Sequence, residues 1–199
     1  RELMNKEERC AGIEFAKNWL NSQQQSREQN SFLRGKASDL EVKFLIQENK
    51  LGVIYTSSID ETINNLGNDT NGWESQSQAI CAAATEFRRL GIRPVVRIHP
   101  NSENKAIRDL LELTINLTAS GIDYILPWEE IDSYKLLDVA QIVGTWGSTI
   151  GIEAAARGIP VFVLGRSEYA QMSRITEISP GKISEIEQVM KKQLDIEAI

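Results

Sequence analysis

The sequence predicts an α/β fold, a doubly wound and mostly parallel sheet of the Rossmann-like kind. Two observations predict it. From Leu51 onward, short continuous apolar runs alternate with longer amphipathic runs. Strands apolar on both faces belong in a parallel sheet with helices on either side. The second observation is residues 141–164, QIVGTWGSTIGIEAAARGIPVFVL. This stretch reads as strand, tight turn, short helix, turn and strand, one crossover of such a sheet.

Taken in order, residues 4–20 have helical spacing, with Cys10, Ile13, Lys17 and Leu20 along one side and Phe15 four residues before Trp19. Residues 21–30 are rich in Gln and Ser without an apolar face, so a linker is expected. Asp39 opens another helix carrying Leu40, Phe44 and Ile46. Residues 1–50 are thus expected to be helices and linker from an N-terminal domain, and residues 51–199 the Rossmann-like domain with a C-terminal helix. Arg1 in place of Met suggests a chain cut from a longer protein. Strands are predicted over 51–55, 94–98, 124–126, 141–143, 160–164 and 174–178, in that order in one parallel sheet. Helices are predicted over 75–90, 104–119, 133–139 and 148–157. A last helix over 182–196 places Ile183, Ile186, Met190 and Leu194 on one face.

Composition narrows the function classes. The 199 residues are 41% hydrophobic and 25% charged, as in ordinary globular proteins. A formal charge of -6 argues against bulk nucleic-acid binding, which needs a basic footprint. No apolar run can span a bilayer and no signal peptide opens the chain, so a cytoplasmic location is expected. Cys10 and Cys81 have no metal-ligand spacing and read as buried thiols in a reducing compartment.

Open parallel sheets bind ligands beyond the carboxyl ends of their strands. Those ends carry Ser57 and Ser58, then His99 and Pro100, then Pro127, Trp128 and Ile131, then Gly147, Ser148 and Thr149. His99 is the only histidine, and its imidazole can donate to a phosphate oxygen or cap its own loop. Arg97 points to the same side of its strand and serves either the site or a helix C-terminus. Ser148 suits an N-cap, and the N–H groups after it suit an anion. Gly144 and Gly147 let a ligand approach the backbone. Glu153 can accept from ribose hydroxyls, stand as a solvated helix glutamate, or pair with Arg157 at i+4. Asp60 and Glu61 read as helix-start charges, and Glu129, Glu130 and Asp132 as a solvated acidic turn rather than a metal cluster. Trp73 either stacks on a base or sugar or covers its own helix.

These residues carry a resemblance. Arg97-Ile98-His99-Pro100-Asn101, Asp132-Ser133-Tyr134 with Leu136, Trp146 to Ala154, and Gly158-Ile159-Pro160-Val161 resemble the capsule polysaccharide biosynthesis family. That family is similar to the donor-binding C-terminal half of two-Rossmann (GT-B) glycosyltransferases. Enzymes using cytidine-monophosphate sugars carry similar His-Pro and Ser-Ser/Thr motifs. The resemblance implies that His99 and Ser148-Thr149 contact the donor phosphate and that Pro100 sets the loop. Glu153 matches the ribose-holding glutamate of retaining enzymes, but Thr145 stands where those carry a second glutamate. The acidic tripeptide that supplies a base in sialyltransferase-like families is absent from the sequence.

The expected function is therefore the donor-binding domain of an inverting glycosyltransferase of bacterial surface polysaccharide synthesis, inactive as this fragment alone. A nucleotide-sugar donor is the expected partner, with a glycan or glycolipid acceptor reached through the N-terminal domain. No cofactor or divalent metal is required, because hydroxyls, imidazole and helix dipole can take the phosphate charge. Peripheral association of the full-length protein with the inner face of the membrane fits such a role. The alternatives are a teichoic-acid-type glycerol- or ribitol-phosphate transferase, a non-hydrolysing sugar epimerase, and a non-catalytic export or regulatory module.

Overall fold

The computed structural model describes residue 18 and residues 51–58, 70–104, 107–129, 131–172 and 175–197. The readings of residues 4–20 apart from residue 18, of residues 21–30 and of the helix from Asp39, together with Asp60, Glu61 and Glu130, lie outside these.

Six parallel strands form one sheet: β1 (Leu51–Tyr55), β2 (Arg93–Arg97), β3 (Asp123–Ile125), β4 (Ala140–Thr145), β5 (Val161–Val163) and β6 (Ile175–Glu177). Their lateral order is β3-β2-β1-β4-β5-β6 rather than chain order. The winding starts at β1, runs outward to β3, then returns beside β1 with β4. The reversal creates a switch point between β1 and β4, where loops on either side diverge and leave room for a ligand.

Among the described residues from 51 onward, five α-helices connect or flank the strands: α1 (Gln76–Arg89), α2 (Ile107–Ala119), α3 (Ser133–Val139), α4 (Ile150–Ala156) and α5 (Ile186–Glu197). Short 3-10 segments precede α2 and α5, at Pro100–Asn104 and Pro180–Glu185. The sequence reading of a helix over 182–196 merges most of the second segment with α5, because the apolar spacing barely distinguishes three from 3.6 residues per turn over so short a run.

Two apolar layers sandwich the sheet. One gathers α1, α2 and α5 residues with Ile54, Val96, Ile142 and Phe162. The other gathers α3 and α4 residues with Val53, Val95, Val143 and Val161. Alternate strand residues thus face opposite layers, as the pleat requires. In the first layer Phe87 and Phe162 meet edge-on, centroids 5.7 Å apart. The sheet makes room for them with glycine. A Cβ on Gly52 would stand 2.4 Å from Phe87, and one on Gly144 2.5 Å from Phe162. Gly144 lies within β4, so it serves aromatic packing and not the close approach of a ligand. On α5, Ile186 and Val189 are buried in this same layer, with Ile183 and Met190 packed at its edge.

Candidate functional site

In five of the six strands the residue after the strand still bonds to the neighbouring strand before the chain turns away. Ile98 N–H donates to Ile125, Thr56 to Arg97, Trp146 to Tyr55, Leu164 to Thr145 and Ile178 to Val163, all at 2.8–3.1 Å. The ladder thus continues one residue past the strands. It fixes the backbone from which the candidate side chains project, so the rim is a rigid platform for its loops.

His99 lies half-buried after β2. Its N–H donates to Thr56 Oγ1 at 2.8 Å, tying the β2 loop to the β1 loop. Its ring Nδ1 accepts from Asn101 N–H at 3.2 Å. An accepting Nδ1 places the proton of the neutral ring on Nε2. Through the Asn101 bond the ring caps its own loop, one of the two sequence readings.

Arg97 has a different duty. It is 4% exposed, and its guanidinium donates to the carbonyls of Leu126 at 2.5 Å and Glu129 at 3.3 Å. The two bonds bracket Pro127 and Trp128. Burial pulls its pKa down, while the neighbouring Glu129, Tyr55 and Asp132 oppose that shift. Of the two sequence readings, neither describes it fully: Arg97 braces a loop of the rim. On that loop Pro127 is buried, and Trp128 stands 52% exposed, a large ring in water at the end of β3. Ile131 packs against the α3 and α4 layer.

At the switch point, the residues after β1 and β4 meet. Gln76, the first residue of α1, grips Ser57 twice: its Oε1 accepts from Ser57 N–H at 2.8 Å and its amide donates to Ser57 O at 3.2 Å. Ser57 and Ser58 are 7% and 2% exposed. Ser57 Oγ lies 4.0 Å from where a Gly147 Cβ would stand, so β1 and β4 loops are adjacent. Gly147 itself has ordinary room, its nearest contact being Arg166 O at 3.4 Å. Gly165 is the position that requires glycine, for a Cβ there would fall 2.2 Å from Trp146 O.

The start of α4 differs from the sequence expectation. Its N-cap is Thr149, in helical conformation and without a side-chain capping bond, instead of Ser148. A tyrosine that sequence reasoning missed does the holding. Tyr169 OH donates to Ser148 O at 2.6 Å, lies 3.0 Å from Thr145 Oγ1, and packs over Gly151. Burial raises its pKa, so the phenol keeps its proton. A lone tyrosine after a weakly patterned loop gave no spacing signal to find it by.

Three further candidates have definite positions. Trp73 is 5% exposed and donates to Ile178 O at 3.1 Å, so it is a core residue under the α1 loop. Glu153 is 2% exposed, not a solvated glutamate, and Arg157 pairs instead with Asp138 and lies over the Tyr134 ring at 5.3 Å. Asp132 caps α3 through Tyr134 N–H at 2.8 Å, and Glu129 accepts from Leu126 N–H. Those carboxylates serve their own turn. Two hydrogen bonds, Tyr169 to Ser148 and His99 to Thr56, and the closeness of the β1 and β4 loops set Tyr169, Ser148, Gly147, Ser57, Thr56 and His99 in one row. Trp128 stands apart at β3, three strand spacings or about 14 Å from β4. Only an extended ligand reaches from one to the other.

The fold has solved counterparts. A protein from Listeria monocytogenes assigned as a UDP-N-acetylglucosamine 2-epimerase aligns with TM-score 0.52 and 16% identity, over 77% of this chain and 39% of that one. The UDP-GlcNAc 2-epimerase of Methanocaldococcus jannaschii aligns with TM-score 0.50 and 14% identity, over 85% and 43%. KpsC of Thermosulfurimonas dismutans, a β-Kdo 2,7 transferase, gives TM-score 0.47 and 18% identity over 81% and 51%. At these identities the likeness is one of fold. The chain spans about two fifths of the two epimerase structures. No family model and no curated protein matches the sequence.

Proposed function

We propose that this chain binds a nucleotide sugar along the carboxyl rim and forms the donor-binding half of an inverting glycosyltransferase of bacterial surface polysaccharide synthesis. The observation that carries the reading is the connected row from Tyr169 to His99 across the β1/β4 switch point, where this topology places ligands. The motif resemblance from Arg97 to Val161 supplies the substrate class.

In this reading the donor phosphate lies against Ser148 and Thr149, with Ser57 and Ser58 flanking it. His99 donates through Nε2 to a phosphate oxygen. Gly147 admits the phosphate close to the backbone, where its missing Cβ leaves ordinary space. The ribose lies toward Glu153, and the base stacks on Trp128 beside Pro127, with Ile131 behind the loop. As the bond from the anomeric carbon to the leaving nucleotide breaks, negative charge grows on the phosphate. Preorganised donors from His99 and the Ser148-Thr149 turn stabilise that charge most in the transition state. The acceptor and the base that takes its proton belong to the other half of the enzyme.

A second reading, a nucleotide-sugar epimerase, draws on the two epimerase structures quoted above. Product analysis separates them. A transferase consumes its donor only with an acceptor; an epimerase converts a uridine-activated sugar alone. Calorimetry with cytidine, uridine and guanosine nucleotides tests the site itself. One nucleotide is expected to bind in preference to the others, and equal failure of all three in the full-length protein refutes a nucleotide site.

A further inference from the structure

Helix α2 buries one side and leaves an ordered apolar stripe on the other. Leu113 and Leu117 are buried in the sheet layer. Ile107, Leu111 and Ile115 are 68%, 54% and 63% exposed. They recur every fourth residue, so each stands about 40° round from the last and the three form one continuous ridge. Arg108, Glu112 and Asn116 flank this ridge on one side. Scattered surface leucines are ordinary; three large aliphatic residues in register on one helix mark an interaction surface.

We infer that α2 is a self-association surface, on which two copies of this chain pair as antiparallel helices about a two-fold axis at Leu111. Charge selects this occupant. A two-fold axis lying in the interface and perpendicular to both helices reverses their direction and keeps like flanks together. Leu111 then meets Leu111 of the second copy, and each Ile107 meets an Ile115. Arg108 and Glu112 sit on one flank, both exposed. The same operation brings Arg108 within two residues, about 3 Å along the axis, of Glu112 in the second copy. Two opposite-charge pairs form, one on each side of the axis. A parallel pair would carry the two charged flanks to opposite sides of the interface and leave these pairs unmade. The interface is an isologous one, and the ridge is self-complementary in both shape and sign.

One helix of this length covers less than a standard interface, so the association is weak and is read across a concentration series. Sedimentation of the 199-residue chain is expected to show mass rising from 22.3 kDa toward twice that value. Leu111→Glu, at an exposed position, is expected to keep the circular dichroism of the parent and remain monomeric. Arg108→Glu or Glu112→Arg alone should move the midpoint to higher concentration by about two- to thirtyfold, each change being felt twice. The double exchange R108E with E112R should restore it, which a foreign partner or a bound segment of the same chain does not predict. Leu111→Cys should form a disulfide-linked dimer on mild oxidation. A wild-type chain monomeric throughout, association that survives Leu111→Glu, or a charge exchange that fails to restore pairing overturns the inference. So does shielding of the thiol introduced by Leu111→Cys from thiol reagents in the monomer, since the stripe would then be covered within one chain.

Discussion

A single atom's absence has opposite meanings at Gly147 and Gly165. At Gly165 a Cβ collides with Trp146 O at 2.2 Å, and backbone cannot step aside. Gly165→Ala is expected to destabilise the fold by ~1–3 kcal/mol through overpacking, seen as a lower denaturation midpoint. At Gly147 the nearest contact is 3.4 Å, so Gly147→Ala is expected to fold normally. If a phosphate approaches that backbone, the methyl blocks it, and nucleotide binding falls while the midpoint stays. His99→Ala completes the set. Loss of a charge-assisted bond of ~1.5–3 kcal/mol corresponds to a roughly ten- to hundredfold drop in affinity for nucleoside monophosphate. Nucleoside affinity should barely change, and calorimetry of both ligands reads the difference. An unchanged monophosphate affinity removes His99 from the site. Ser148→Ala should leave stability within ~0.5 kcal/mol, because Ser148 makes no cap for α4.

Among the elements, the loops at the rim are set by residues remote in sequence. Arg97 on β2 holds the loop that carries Trp128. Arg97→Ala leaves the Leu126 and Glu129 carbonyls without that donor and opens a space in the β2–β3 corner. The expected result is a destabilisation of about 1–3 kcal/mol, with the Trp128 loop exchanging amide hydrogens faster than α4. Uniform loosening of the whole sheet would instead mean that Arg97 serves the core. Tyr169 plays the matching part for α4. Tyr169→Phe keeps the ring on Gly151 and removes the hydroxyl's bonds to Ser148, Thr145 and Ser167. It should cost about 0.5–1.5 kcal/mol of stability and weaken phosphate binding beyond what that loss explains, measured on protein verified as folded.

For the whole molecule, the buried phenols of Tyr55 and Tyr169 give a direction to alkaline stability. Burial raises both above the ordinary tyrosine value. The folded state then keeps protons that the unfolded chain releases near pH ~10. The unfolded state binds fewer protons there, so stability falls as pH rises past about 10 and is unaffected below it. A urea midpoint followed from about pH 8 to pH 11 checks the sign. Among the described residues, no helix is long and apolar enough to cross a membrane.

Much of this molecule was determined by local sequence. Strand and helix identity follow from periodicity, because a strand's continuous apolar run meets both layers and a helix's apolar stripe meets one. The parallel doubly wound fold follows from their alternation. The strand-end positions of Ser57, His99 and Ser148 follow as well. Lateral strand order was decided only in three dimensions, since the chain contains no mark of where winding reverses. The same holds for Gly144, whose purpose lies in a phenyl ring eighteen residues on. It holds for Arg97 and Tyr169, whose partners are backbone carbonyls that no residue pattern advertises. Sequence spacing records which side of an element is apolar. It does not record which distant backbone group a buried polar side chain must satisfy, and that need is settled only when the layers close.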